Sequence, residues 1–222
     1  MKVCTDACLF GAWVAAKIIN VELPIKHGLD IGTGTGLLSL MLAQKKNHLQ
    51  IDAVEIEKNA FEQAIENVDR SPWRNSIKVF HIDVKDFISI NKYEFIISNP
   101  PFFENDLLSE EKNKNLAKHN AGLPLNDLIN VVKRNLSVTG YFAVLLPYHR
   151  LIEFEKLAEE NDFYLKEKVS VRQTPMHNFF RAMLLFSTEK NSTTSIEISI
   201  KNKDENYTTE FSALLRDYYL YL

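Results

Sequence analysis

Short strand-like apolar runs alternate with helix-like stretches along most of the sequence, and that order restricts the fold more than any other feature. Residues 27–31, 51–56, 77–82, 93–98 and 141–146 read as strands. Residues 37–44, 58–69, 125–136 and 151–161 read as helices, preceded by a leading helix over 5–19 with Thr5 or Asp6 as its cap. Strands joined through helices imply right-handed crossovers and a parallel sheet covered on both faces. Residues 164–171 and 182–187 depart from the pattern, because no helix lies between them, and they are expected to pair antiparallel at one sheet edge. After a polar linker at 189–194, Ile196, Ile198 and Ile200 alternate as a half-buried strand. Tyr207, Phe211, Leu214, Leu215, Tyr218 and Tyr219 then mark one face of a closing helix, and the apolar residues 218–222 are expected to dock on the body. At 222 residues the chain can build one large core, so a single domain over 1–222 is expected, with 190–222 as its docked strand and helix.

Two turns at strand ends carry the chemistry. Asp30-Ile31-Gly32-Thr33-Gly34-Thr35-Gly36 joins a strand to a helix, where backbone N–H groups and the helix dipole can meet a ligand. The spacing is G-x-G-x-G, and Leu37 stands where a dinucleotide fingerprint requires its third glycine. Asp30 before the turn suits a cationic amino-acid moiety better than a pyrophosphate. Glu55, 19 residues after Gly36, ends the next strand, where an acid accepts hydrogen bonds from ribose hydroxyls. Asp83 follows the third strand, in place to meet an adenine amino group, whereas Glu57 reads as a solvated helix-start acid. For Glu55 and Asp83 alike, the competing reading is a solvated strand-end acid.

The second turn is Ser98-Asn99-Pro100-Pro101-Phe102. Asn99 and Pro100 each precede a proline and are pushed into extended geometry, so the turn is stiff and cannot continue a ladder. An exocyclic amine on adenine is a poor nucleophile because its lone pair is delocalised into the ring. Two fixed acceptors, the Asn99 side-chain oxygen and the Pro100 carbonyl, can each take one of its hydrogens and stabilise positive charge building on nitrogen. Positioning and charge complementarity then carry the step without a strong base. Phe102, with Phe103 beside it, offers an aromatic face to a base swung out of its stack. Together the two turns point to methyl transfer from S-adenosylmethionine (SAM) to a nitrogen.

The remaining composition narrows the setting. A net charge of −3 and a pI near 6.1 mean that any nucleic-acid contact must rest on a local basic patch. Cys4 and Cys8 do not make a disulfide framework and read as free thiols. The six histidines lack metal-ligand spacing, so no metal is expected. No run of about 18 apolar residues suggests a membrane span, and Met1-Lys2-Val3-Cys4 does not begin a signal peptide. The expected setting is the cytoplasm, with a monomer as the default state.

The motifs also resemble a known family. Asp30–Gly36 and Asn99–Phe102 are similar to the SAM-binding and amino-methylation motifs of class I methyltransferases. Met1-Lys2-Val3-Cys4-Thr5-Asp6 with Gly11-Ala12-Trp13, Ile51-Asp52-Ala53-Val54-Glu55, Ser71-Pro72-Trp73 and Tyr207…Phe211…Tyr219-Leu220 extend the likeness over essentially the whole chain. The chain thereby resembles the bacterial tRNA adenine-N6 methyltransferases that modify adenosine 37, beside the anticodon of valine tRNA. The resemblance implies a Rossmann-like α/β fold, with a mostly parallel seven-stranded-type sheet, an antiparallel edge hairpin and helices on both faces. It implies SAM against Thr5, Asp30, Gly32, Gly34, Glu55 and Asp83, the target amine against Asn99 and Pro100, and Phe102 stacking on the base. Family members usually carry an aromatic and basic segment ahead of the Met-Lys-Val element at which this sequence begins; if that segment grips RNA, weaker RNA binding is expected. Cys4 replaces a glycine common in the family.

A basic rim around the pocket is expected from Lys112, Lys114, Lys118 and His119 after the second turn, and from Lys168, Arg172 and Arg181 beside the last pair of strands. Phe103, Lys118, Arg172 and Arg181 are the named candidates for RNA contact, each lysine weighed against a plain solvated loop. Arg181, beside Phe179 and Phe180, suits stacking on unpaired bases. Other amino-methyl transfers use the same turn. Release-factor glutamine methyltransferases carry a long helical domain for which the 29 residues before Asp30 leave little room. DNA adenine methyltransferases add a recognition domain, and guanine-N2 enzymes of ribosomal RNA commonly place His where Phe103 stands. An NAD-dependent oxidoreductase would leave Asn99 unexplained, and a non-catalytic RNA-binding module would not be expected to keep both Asn99 and Asp30.

Overall fold

The apolar runs become β1 (His27–Ile31), β2 (Gln50–Glu55), β3 (Ile77–His81), β4 (Tyr93–Ser98), β5 (Leu136–Pro147), β6 (Tyr164–Arg172), β7 (Arg181–Ser187) and β8 (Thr194–Ser199). In the computed structural model, which describes residues 4–20, 25–101, 123–190 and 192–221, they form one sheet in the order β3-β2-β1-β4-β5-β7-β6-β8. Strands β1 to β5 run parallel. β7 lies antiparallel to both β5 and β6, the pairing expected where no helix intervenes, and β8 adds an eighth strand parallel to β6.

Helices α1 (Thr5–Asn20), α2 (Leu37–Lys45), α3 (Lys58–Asp69), α4 (Leu125–Asn135), α5 (Leu151–Glu159) and α6 (Thr209–Leu215) cover the sheet. Side chains alternate across a strand, so β4 sends Phe95 and Ile97 to one core and Ile96 to the other. The first core joins them to Phe10 and Trp13 of α1, Met41 and Leu42 of α2, and Phe211 and Leu215 of α6. The second joins Ile96 to Leu128 and Val132 of α4 and Phe154 of α5. Burying each such side chain contributes roughly 1.5–3 kcal/mol. Gly11 lets α1 and α2 cross closely, since a Cβ there would lie 2.6 Å from the Met41 sulfur.

Glu57 caps α3, accepting from the Asn59 and Ala60 N–H groups at 3.0 and 2.7 Å, and these bonds hold its carboxyl below the usual carboxylate range. Two local expectations shift. β5 begins at Leu136, opposite Tyr93, directly after α4; the polar character of Ser137-Val138-Thr139-Gly140 conceals those first residues. At the other end Tyr218 docks through a hydroxyl donated to the Met41 carbonyl at 3.2 Å, and Tyr219 packs against Phe211. Leu220 and Tyr221 are 92% and 90% exposed, so the docking expected through 218–222 stops at Tyr219 among the described residues. Among those residues no helix is long and apolar enough to cross a membrane.

Candidate active site

Ile31 and Ser98 are partners on adjacent parallel strands, and the Ser98 hydroxyl donates to the Ile31 carbonyl at 2.9 Å. The next residue on each strand is the first of its turn, Gly32 on one side and Asn99 on the other. Parallel neighbours lie about 4.8 Å apart, so both turns begin within that distance. They leave the carboxyl edge of the sheet where the strand order reverses between β2, β1 and β4, the usual ligand crevice of such sheets. Asn99 is half-buried, Pro100 buried and Pro101 exposed.

The glycine turn depends on backbone that side chains resist. Gly32, Gly34 and Gly36 have φ of 70°, 58° and 84°. The Gly32 and Thr33 N–H groups both donate to the Val54 carbonyl, at 2.9 and 3.1 Å, tying the turn to the end of β2. A Cβ added to Gly32 would meet nothing within 4 Å. Its glycine is therefore required by φ, and its open side leaves room for a ligand to approach the backbone.

Asp30 lies beneath this turn, fully buried. One carboxylate oxygen accepts from the Thr33 hydroxyl at 2.6 Å and the Ser39 hydroxyl at 2.7 Å, while Oδ1 is buried without a partner. Burial, with a smaller push from the Glu55 charge, raises this carboxyl to about 6, against the lowering effect of the two hydroxyls and the Ser39 backbone N–H. Buried polar atoms are normally satisfied, and an orphaned carboxylate oxygen beside an open turn fits a ligand that brings an ammonium group. The donor set therefore suits the amino-acid end of SAM.

Glu55 is buried, its Oε2 accepting from the Gly34 N–H and its Oε1 from the Glu57 N–H, both at 2.8 Å. Each oxygen retains acceptor capacity. Asp83 accepts from the Lys85 N–H at 2.9 Å and pairs with the Lys85 ammonium at 3.4 Å, the bonds of a turn acid. Thr5 is exposed at the start of α1. Asp6 beside it accepts from Arg181 Nε at 2.7 Å, joining α1 to the first residue of β7. Arg172 donates to the Ser199 hydroxyl at 3.0 Å and to Glu197 at 3.2 Å. Phe102, Phe103, Lys118 and the neighbouring basic residues 112, 114 and 119 lie outside the described residues.

The structure thus brings Asp30, Gly32, Gly34, Asn99 and Pro100 to the carboxyl ends of adjacent β1 and β4, with Glu55 joined to Gly34 from the end of β2, and places Arg172 and Arg181 farther along the same sheet edge. Thr33, Ser39 and Ser98 were not singled out by sequence. Each is a small hydroxyl whose role depends on pairing across the fold, although Thr33 and Ser39 sit close enough to Asp30 in sequence to have been suspected. Among the described residues no group of three or more His, Cys, Asp or Glu side chains stands together to hold a metal ion.

Residues 10–161 match the methyltransferase small domain family. A Pseudoalteromonas translucida protein named tRNA1(Val) (adenine(37)-N6)-methyltransferase is 37% identical over 99% of this chain and 92% of its own length. A relative of the same name from Dyadobacter fermentans is 39% identical over 99% and 91%. Among solved structures, a "predicted O-methyltransferase" of Agrobacterium tumefaciens superposes with a TM-score of 0.69 at 13% identity, covering 95% of each chain. A SAM-dependent methyltransferase from Aquifex aeolicus gives 0.59 at 14% identity over 84% of this chain and 94% of its own. At those identities the two structures speak for the fold alone.

Proposed function

This chain belongs to the methyltransferase small domain family, with relatives named tRNA1(Val) (adenine(37)-N6)-methyltransferase, and we propose that it methylates N6 of an adenine in tRNA. The observation that carries this reading is the shared rung at Ile31 and Ser98, from which the cofactor turn and the Asn-Pro-Pro turn leave side by side. SAM, when bound, supplies a methyl carbon on a positively charged sulfur.

The chain's residues arrange everything else. The free Asp30 oxygen receives the ammonium group, the open side of Gly32 and the Gly34 backbone receive the cofactor's approach, and Thr5 borders its amino-acid end. Glu55 accepts from ribose hydroxyls with its remaining lone pairs, and Asp83 meets the adenine amino group by exchanging its bond to the exposed Lys85. Asn99 Oδ1 and the Pro100 carbonyl each accept one hydrogen of the target amine, orienting its lone pair and offsetting charge as the nitrogen becomes cationic. Phe102 stacks on the flipped base, while Phe103, Lys118, Arg172 and Arg181 meet the RNA around it. The names of the relatives support adenosine 37 of a valine tRNA as the target, and with it a cytoplasmic place of action.

Incubation with labelled SAM and purified tRNAs, followed by nucleoside mass spectrometry, tests the reading. N6-methyladenosine in valine tRNA is the expected product; N2-methylguanosine, or label on a release factor instead, would overturn it. Asn99→Ala should lower turnover by about 10²–10³-fold, the loss typical of a transition-state hydrogen-bond partner. SAM affinity should stay within about a factor of two, since Asn99 faces the amine.

A further inference from the structure

Resting on the RNA-directed reading above, we propose that Phe179, Tyr148 and Arg172 form a second nucleotide site, which takes the base and phosphate of an unpaired residue flanking the target adenosine. Phe179 and Phe180 are consecutive but do different things. Phe180 packs against the first core, and its N–H and carbonyl bond Val171 and Tyr148 at 2.9 and 3.0 Å. The Phe179 ring is packed against neither core. It is half-buried, with the Tyr148 ring tilted against it at 5.1 Å and 41°, and the Arg172 guanidinium 5.1 Å from its centroid.

The sheet places this stack on the same edge as the catalytic turn. Ser98 of β4 pairs with Val144 of β5, and β5 ends at Pro147, just before Tyr148. Pro147 pairs with Arg181, and Arg181 with Val171 of β6, next to Arg172. The cluster therefore stands one to three strands beyond the Asn99 turn, roughly 5–15 Å along the edge at about 4.8 Å per strand. That is a nucleotide-scale separation, since an extended single strand advances by several ångströms per residue.

The two arginines of this edge are equally exposed and differ in their acidic partners. Arg181 pairs with Asp6, whose side chain is only 16% exposed. Arg172 pairs with Glu197, which is 60% exposed and can be released to solvent when a phosphate takes its place. An aromatic pair with an adjacent exchangeable arginine is the chemistry that receives an unstacked base and its phosphate together.

The test uses the full chain with tRNA and compares Phe179→Ala, Phe179→Leu and Phe179→Trp. Loss of base stacking should raise the KM and Kd for tRNA by about tenfold in the alanine and leucine variants. Their kcat, SAM affinity and melting temperature should hold at the wild-type values. Phe179→Trp should retain affinity, and its indole emission should be quenched by tRNA. Arg172→Gln should flatten the dependence of log affinity on log salt by about 0.7–0.9, the share of one phosphate contact. Wild-type tRNA affinity in Phe179→Ala, or its full recovery with leucine, would overturn the site while leaving the methylation reading intact. If the wild-type chain methylates no RNA, that reading fails and the site falls with it.

Discussion

Replacing Asp30 with asparagine isolates the cost of a buried carboxylate with one unpartnered oxygen. Burial lifts this carboxyl from 3.8 to about 6. Below the lower value, folded and unfolded chains both hold the proton. Between the two values the unfolded chain releases it and the folded chain keeps it, so the native state loses stability as pH rises. Above about 6 the full penalty is present, and two pKa units at about 1.4 kcal/mol each give roughly 3 kcal/mol. Part of that is already felt at pH 4, which leaves about 2.5 kcal/mol to develop between pH 4 and 7.5. Asp30→Asn does not titrate, and the fixed cost of its unpaired amide hydrogens cancels when the two pH values are compared. The variant should therefore gain about 2.5 kcal/mol on the wild type over that range, or roughly 5–10 °C in melting temperature for a chain of this size. Urea titrations of both proteins at pH 4, 5, 6 and 7.5 measure the difference. Having lost the charge that faces the ammonium group, the same variant should bind SAM poorly at every pH. A stability difference that stays constant with pH would refute the argument.

Gly32→Ala meets no steric obstacle but must hold φ near 70°, so it should cost about 1–2 kcal/mol of stability. Its methyl projects into the approach space, so isothermal titration should also show weaker SAM binding; unchanged affinity would remove this glycine from the cofactor site. Phe211→Ala removes a fully buried ring of α6 and should cost about 3–5 kcal/mol in chemical denaturation. A loss under 1 kcal/mol would mean that α6 contributes little to the first core.

Much of the fold was legible because its punctuation is strong. Glycine after Ile31 and proline after Asn99 end β1 and β4 where the pattern ends them, and α3 spans Lys58–Asp69 as its period predicts. The start of β5 was concealed because Val138 is 86% exposed and its neighbours are polar, so no buried alternation marks the strand. The exposed Leu220 and Tyr221 show the converse, apolar residues that periodicity cannot place. In the site, Asp30, Glu55 and Asn99 were visible as residue types at strand ends. What the sequence could not reveal were bonds between distant positions. Asp6 and Arg181 are 175 residues apart, and Ser98 reaches Ile31 across 67. Likewise, nothing local announces that Phe180 faces inward and Phe179 does not.

The clasp between Ser98 and Ile31 makes the alignment of donor and acceptor a matter of counting. A strand advances about 3.3 Å per residue, so one residue inserted in β4 would slide the Asn99 turn past the glycine turn by more than the gap a methyl group crosses. Deletions of the same size in β1 would do equal harm. A one-residue change of length within either short strand should therefore misalign the two turns, whereas a change in the loops at the opposite end of the sheet leaves their register intact.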